Sequence, residues 1–173
     1  FVGAAAPSGP FLGKAMASKV PKLDEGEVVV ELGAGTGAIT RQLLKSGLEG
    51  HQLVSVERSN AMSEHLRKTF PELTVLEGDA CELRVLLQQY LGLGVDAVSS
   101  IVSGLPLRSL PGPVVDAIVS EVYQTLSPGG RFIQFTYDIR PRANPVLSAF
   151  RRKETRIIWA NFPPARVDVY QRV

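Results

Sequence analysis

The chain has 173 residues with 45% hydrophobic side chains, which predicts one domain with a substantial core and excludes collagen-like, coiled-coil and disordered classes. Its net charge of +2 hides an asymmetry: residues 1–130 carry 10 basic and 14 acidic side chains, whereas residues 131–173 carry 9 and 3. The lone Cys81 excludes an intrachain disulfide, and with only His51 and His65 beside it the counts disfavour a His/Cys metal site; these three read most simply as structural or surface residues.

In chain order, Ser8 as N-cap and Pro10 in the first turn predict a short helix through Phe11, Leu12 and Met16, stopped by Pro21. Val28–Leu32 reads as a strand ending in a Gly-rich turn, and Thr36–Lys45 as a helix. Leu53–Glu57 is a second strand. Ser59 caps a helix that runs to Phe70, and Leu73–Leu76 is a third strand. A helix over about Glu82–Leu91, a strand over Val95–Ser103, a helix over Pro113–Leu126 and a strand over Arg131–Tyr137 follow. Strands alternating with helices predict a parallel sheet covered on both faces. Glu154–Ala160 and Ala165–Val173 are strand-like runs too close together for a helical crossover, so they form an antiparallel hairpin. This is the outline of an α/β, Rossmann-like class I methyltransferase: a seven-stranded, mostly parallel sheet with a C-terminal antiparallel hairpin.

Chemistry concentrates at the carboxyl ends of these strands, where open α/β sheets bind ligands. Glu31-Leu32-Gly33-Ala34-Gly35-Thr36-Gly37 joins the first strand to a helix N-terminus, whose amides attract anionic groups. Alone it fits a dinucleotide as well as S-adenosylmethionine. Glu31 favours the latter, because an acid there suits the amino end of the methionine moiety and repels a pyrophosphate. Glu57, followed by Arg58, ends the second strand, where a carboxylate can accept from ribose hydroxyls. Asp79, in Gly78-Asp79-Ala80, ends the third, where methyltransferases commonly carry an Asp that hydrogen-bonds the adenine amine. The plainer reading of Glu31 and Asp79 is helix caps or solvated loop acids. The fourth strand ends in Ser103-Gly104-Leu105-Pro106-Leu107. Amine methyltransferases often place Asn-Pro-Pro-Tyr or Asn-Leu-Pro-Tyr here. Leu107 in the aromatic position removes the platform on which a base would stack.

Over nearly its whole length the sequence resembles the bacterial phospholipid N-methyltransferases. The carrying segments are Glu31–Gly37, Val102–Leu107 with Leu110-Pro111, Gln134-Phe135-Thr136-Tyr137 and Asn161-Phe162-Pro163-Pro164-Ala165. The resemblance implies methyl transfer from S-adenosylmethionine, without a metal, to the amine of phosphatidylethanolamine and its mono- and dimethyl forms. It also implies a monomer, cytoplasmic and peripheral on the inner face of a bacterial membrane, with anionic phospholipid as partner and no nucleic acid. Residues 1–22 are then an N-terminal helical cover and 23–173 the catalytic domain; Phe1 in place of Met points to a missing stretch of membrane anchor.

On this reading the Ser103 hydroxyl, with the Gly104 or Leu105 carbonyl, holds the substrate nitrogen. Tyr137 is a second amine contact or proton acceptor, with water as the alternative acceptor. Arg140 and Arg142 bind the lipid phosphodiester, and Ser103 also touches the cofactor. Arg151-Arg152-Lys153 suits either an anionic membrane or a solvated face. Phe11, Leu12 and Met16 line an acyl groove or pack on the core, and Trp159 is core or rim packing. The alternatives are an rRNA adenine N6-methyltransferase, which Leu107 and the lack of an appended RNA-binding domain oppose, a non-catalytic module of the same fold, and a dinucleotide-dependent reductase.

Overall fold

Alternation of buried residues along each strand splits the core in two. The computed structural model describes residues 9–92 and 96–173. Its strands are β1 (Val28–Leu32), β2 (Leu53–Glu57), β3 (Thr74–Glu77), β4 (Val98–Ser103), β5 (Arg131–Thr136), β6 (Arg151–Ile158) and β7 (Ala165–Gln171). Its helices are α1 (Pro10–Ala17), α2 (Ala38–Lys45), α3 (Asn60–Thr69), α4 (Leu83–Leu91) and α5 (Gly112–Thr125). The seven strands form one sheet in the order β3-β2-β1-β4-β5-β7-β6. Strands β1 to β5 are mutually parallel, and β7 inserts antiparallel between β5 and β6. The expected seven-stranded α/β architecture with its terminal hairpin is therefore present.

On one face, Val29, Leu53, Val75, Val102 and Ile133 pack against Leu12 and Met16 of α1, Ile39 and Leu43 of α2, and Leu66 near the end of α3. On the other, Val30, Val54, Leu76, Ile101 and Phe132 pack against Leu86 of α4 and Ile118 and Val122 of α5. Each fully buried aliphatic side chain contributes about 1.5–3 kcal/mol, so both layers bind the sheet firmly. Leu12 and Met16 are completely buried, which assigns them to the core rather than to an acyl groove; only Phe11, of the three apolar α1 residues considered, faces solvent.

Local signals explain most boundaries. The Ser59 hydroxyl accepts from the Met62 amide at 3.3 Å and starts α3. Gly92, in the left-handed region, ends α4. The expected Ser8 cap and the Val95 strand start lie outside the described residues; α1 begins after Gly9. Strand β6 begins three residues earlier than expected, because Arg151 and Arg152 pair with β7 as part of the sheet edge and the register shifts across Lys153 before Glu154. The fully polar sequence of that segment conceals a strand exposed on the outermost position, where charge discourages further pairing. Among the described residues, no helix is long and apolar enough to cross a membrane.

Candidate active site

The glycine turn between β1 and α2 packs directly against the loop after β4. Gly104 donates its amide to the Leu32 carbonyl at 2.9 Å. Gly33 has φ +66°, and a Cβ there would stand 2.6 Å from Leu105 Cδ2. Gly37, with φ +89°, turns the chain into α2, and a Cβ there would stand 2.6 Å from the Phe70 ring. Both positions combine a left-handed backbone with a neighbour too close for a side chain.

Glu31 is completely buried. Its Oε2 accepts from the Thr40 hydroxyl at 2.6 Å and the Ser55 hydroxyl at 2.8 Å, tying β1 to α2 and β2. Its Oε1 is buried with no hydrogen-bond partner. Burial pushes the carboxyl up to about 7, although the hydrogen bonds from Thr40 and Ser55 pull the other way. Neither bland expectation, a helix cap or a solvated acid, describes it. An unpartnered acidic oxygen beside a glycine turn suits a ligand ammonium.

Glu57 reaches back over the same turn. Its Oε2 accepts from the Gly35 amide at 2.9 Å and its Oε1 from the Ser59 amide at 3.0 Å. Arg58 next to it is exposed. Asp79 does serve as a cap: its Oδ1 accepts from the Cys81 amide at 2.8 Å, opening the 3-10 turn Ala80–Glu82 that follows Gly78. This cap uses one carboxylate oxygen, so capping and ligand binding are compatible. Glu31, Ala34, Glu57 and Asp79 thus line the ends of three adjacent strands. These are the residues available to hold S-adenosylmethionine, Glu31 through its unpartnered Oε1.

Beyond β4, β5 and β7 lies a cavity of about 780 Å³ lined by Gly104, Leu107, Arg108, Gln134, Tyr137 and Asp168, among others. Ser103 is buried, and its hydroxyl accepts from the Leu105 amide at 3.2 Å. Gln134, its partner across the β4–β5 pairing, donates Nε2 to the Leu105 carbonyl at 2.8 Å and to the Phe135 carbonyl at 2.9 Å. Gln134 Oε1 is buried without a partner. Sequence reasoning did not single Gln134 out as a site residue; the signal was a polar residue inside the apolar run Phe132-Ile133-Gln134-Phe135. Leu107 is buried in the core and offers no exposed stacking face. Tyr137 lies on the cavity wall, edge-on to Phe135 with ring centroids 5.5 Å apart.

Arg140 and Arg142 do not line the cavity themselves but flank it through Asp138, which does. Arg140 grips Asp138 through Nε at 2.7 Å and Nη2 at 2.9 Å, and Arg142 Nη2 reaches it at 3.1 Å. Arg108, which sequence reasoning missed, lies 3.5 Å from the same carboxylate. Chiefly through its hydrogen bonds with Arg140, Asp138 is held well below the usual carboxylate range. Three guanidinium groups thus share one carboxylate and retain a local charge of +2. Behind them Arg166 and Asp168 form a buried ion pair at 2.8 Å, and Arg166 also donates to the Arg140 carbonyl. Trp159 is 67% exposed, which overturns its assignment to packing. Its strand ends at Ile158, so the indole stands beyond the sheet rather than in it.

Residues 29–130 match the family model described as a methyltransferase domain. Over 138 residues the chain is 34% identical to the ornithine lipid N-methyltransferase of Singulisphaera acidiphila, spanning 78% of this chain and 70% of that one. It is 28% identical to ribosomal RNA small subunit methyltransferase A of Phenylobacterium zucineum, over 90% of this chain and 64% of that protein. A TehB-like SAM-dependent methyltransferase from Corynebacterium glutamicum has the same fold, with a TM-score of 0.66 at 17% identity over 93% of this chain and 88% of that chain. Sequence and architecture agree, and the chain belongs to the S-adenosylmethionine-dependent methyltransferases.

Proposed function

We propose that the protein methylates the amine of a membrane lipid headgroup, with phosphatidylethanolamine and its mono- and dimethyl forms as substrates. One observation carries this reading. The cavity runs from the Gly104–Leu107 loop, which touches the glycine turn, to Arg108 and Asp138, and Asp138 gathers Arg140 and Arg142 beside it. An amine at one end and an oxyanion at the other match a zwitterionic headgroup. The similarity to an ornithine lipid N-methyltransferase supports lipid amine chemistry, and ornithine also carries an amine and a carboxylate.

S-adenosylmethionine supplies an electrophilic methyl group. The chain's own residues position the acceptor. The Leu105 carbonyl accepts from both Gln134 Nε2 and the Leu107 amide, which fixes the loop and leaves the Gly104 carbonyl and the Ser103 hydroxyl beside it to receive the amine hydrogens. Holding the nitrogen in line is where much of the acceleration originates. Before attack the ammonium loses a proton to water, directly or by way of the Tyr137 hydroxyl at the cavity wall, which passes its own proton on as it receives one. Arg140, Arg142 and Arg108 receive the headgroup oxyanion, pre-oriented by Asp138 so that little side-chain freedom is lost on binding. The buried Leu107 leaves no stacking face for a base, which disfavours adenine in RNA despite the ribosomal RNA relative.

The test is to offer the cofactor with detergent-dispersed phosphatidylethanolamine, its monomethyl and dimethyl derivatives, or an ornithine lipid, and to resolve the products. Methylated ethanolamine lipids are the expected result. Methylation of the ornithine lipid alone would move the substrate to a carboxylate headgroup, and methylation of none would overturn the lipid reading.

A further inference from the structure

The β6–β7 hairpin ends at the same rim as the catalytic loops. In the sheet Thr136, at the end of β5, pairs with Arg166, and Ala165 pairs with Ile158. The turn 159–164 therefore projects from the carboxyl edge of the parallel strands, beside the cavity mouth. It carries two large aromatics in solvent: Trp159, and Phe162, which is 96% exposed. The turn is braced from within. Asn161 is buried and donates Nδ2 to the Pro163 carbonyl at 2.8 Å. The start of α1 packs on it, since a Cβ on Gly9 would lie 2.6 Å from Asn161 Oδ1. The adjoining first turn of α1 holds the exposed Phe11.

Single exposed apolar residues are common on soluble proteins, but two aromatics on a braced, protruding tip are not explained by chance coverage. Cations share this rim: Arg108, Arg140 and Arg142 around Asp138, and the exposed Arg156 near the tip. Aromatic tips beside cations match a bilayer interface, where amphipathic rings settle at headgroup depth and cations meet anionic lipid. We propose that the 159–164 turn docks the protein on an anionic phospholipid bilayer. Trp159 and Phe162 enter the interface with Phe11 alongside, and the arginine rim and cavity mouth face the headgroups. This inference rests on the lipid reading of the site and adds the face that meets the membrane.

Its geometry revises the role of the basic triplet. Arg151 pairs with Gln171, which pairs with Arg131 at the start of β5, so Arg151, Arg152 and Lys153 occupy the opposite end of the sheet. At about 3.3 Å per residue they lie on the order of 20 Å from the tip and outside the bilayer contact. RNA is the competing occupant. Stacked bases need flat platforms along a continuous cationic track, whereas this tip is convex and the triplet is at the far end.

The chain contains one tryptophan, so Trp159 reports on its own docking. Vesicles of phosphatidylethanolamine and phosphatidylglycerol should shift its emission to the blue, and lipids brominated in the upper acyl chain should quench it. Phe162→Asp should reduce vesicle co-sedimentation about tenfold or more, from the loss of one inserted aromatic. Its melting temperature and its methyl transfer to detergent-dispersed lipid should be unchanged. Absent vesicle binding, or binding with unshifted and unquenched emission, overturns the proposal. So does a response to RNA but not to vesicles, or a concentration-dependent shift without lipid, which would mark a second copy as the occupant. Methyl transfer to dispersed lipid without vesicle docking overturns this inference alone. Docking without methyl transfer overturns the lipid-substrate reading and leaves the docking face standing.

Discussion

Glu31 joins fold and function in one side chain. Its Oε2 cross-links three elements through Thr40 and Ser55, while its Oε1 is buried without a partner. The carboxyl is raised to about 7, so between roughly pH 4.5 and 7 the folded protein keeps a proton that the unfolded chain has lost. Stability without ligand therefore falls as pH rises across that window and levels off above it. Glu31→Gln should flatten this dependence and raise the denaturation midpoint at pH 8, yet weaken S-adenosylhomocysteine binding at least tenfold by calorimetry. Unaltered affinity would make Glu31 purely structural. Gln134 acts differently, by holding the Leu105 carbonyl. Gln134→Met should lower kcat about tenfold through lost alignment and leave cofactor affinity intact. An equal loss in cofactor affinity would point to a collapsed loop instead.

Strand ends set the site, and β7, held between β5 and the edge strand β6, supports it from behind. Arg166 and Asp168 are both buried, and Thr155 and Tyr170 also donate to Asp168. Tyr170 is pushed up to about 12, chiefly by burial and then by that carboxylate, so it stays protonated as a donor. Removing one member of a buried ion pair strands the other, at about 3–5 kcal/mol. Arg166→Met should show that loss in urea unfolding and free the Arg140 backbone, whereas Arg166→Met with Asp168→Leu should recover part of it. Most strands were legible in the sequence, because Val28–Leu32 and Leu53–Glu57 alternate between two apolar layers and end in turn residues. The beginning of β6 was not, since an exposed edge strand has no buried face to imprint a hydrophobic pattern. The three acids at strand ends were legible through their spacing. The Arg108–Asp138 contact was not, because it joins loops 30 residues apart that only the sheet order brings together.

At the scale of the whole molecule, the two halves of the charge asymmetry acquire separate places. The acidic body supplies Glu31, Glu57 and Asp79 around the glycine turn. The basic quarter divides into an arginine rim at the cavity and a β6 edge at the other end of the sheet. Its arginines are consequently not one patch, and only the rim lies near the chemistry. The charge asymmetry alone suits nucleic acid and anionic lipid equally. The buried Leu107, and a cavity with Gly104 at one part of its wall and Arg108 and Asp138 at another, favour the proposed compact lipid amine. The most direct measurement is therefore a competition. Cofactor carrying a labelled methyl group is supplied to the protein with dispersed phosphatidylethanolamine and small-subunit ribosomal RNA in one reaction, and the label is partitioned between them. This account predicts label in the lipid amine and background levels in RNA. Label in RNA with none in lipid would contradict it.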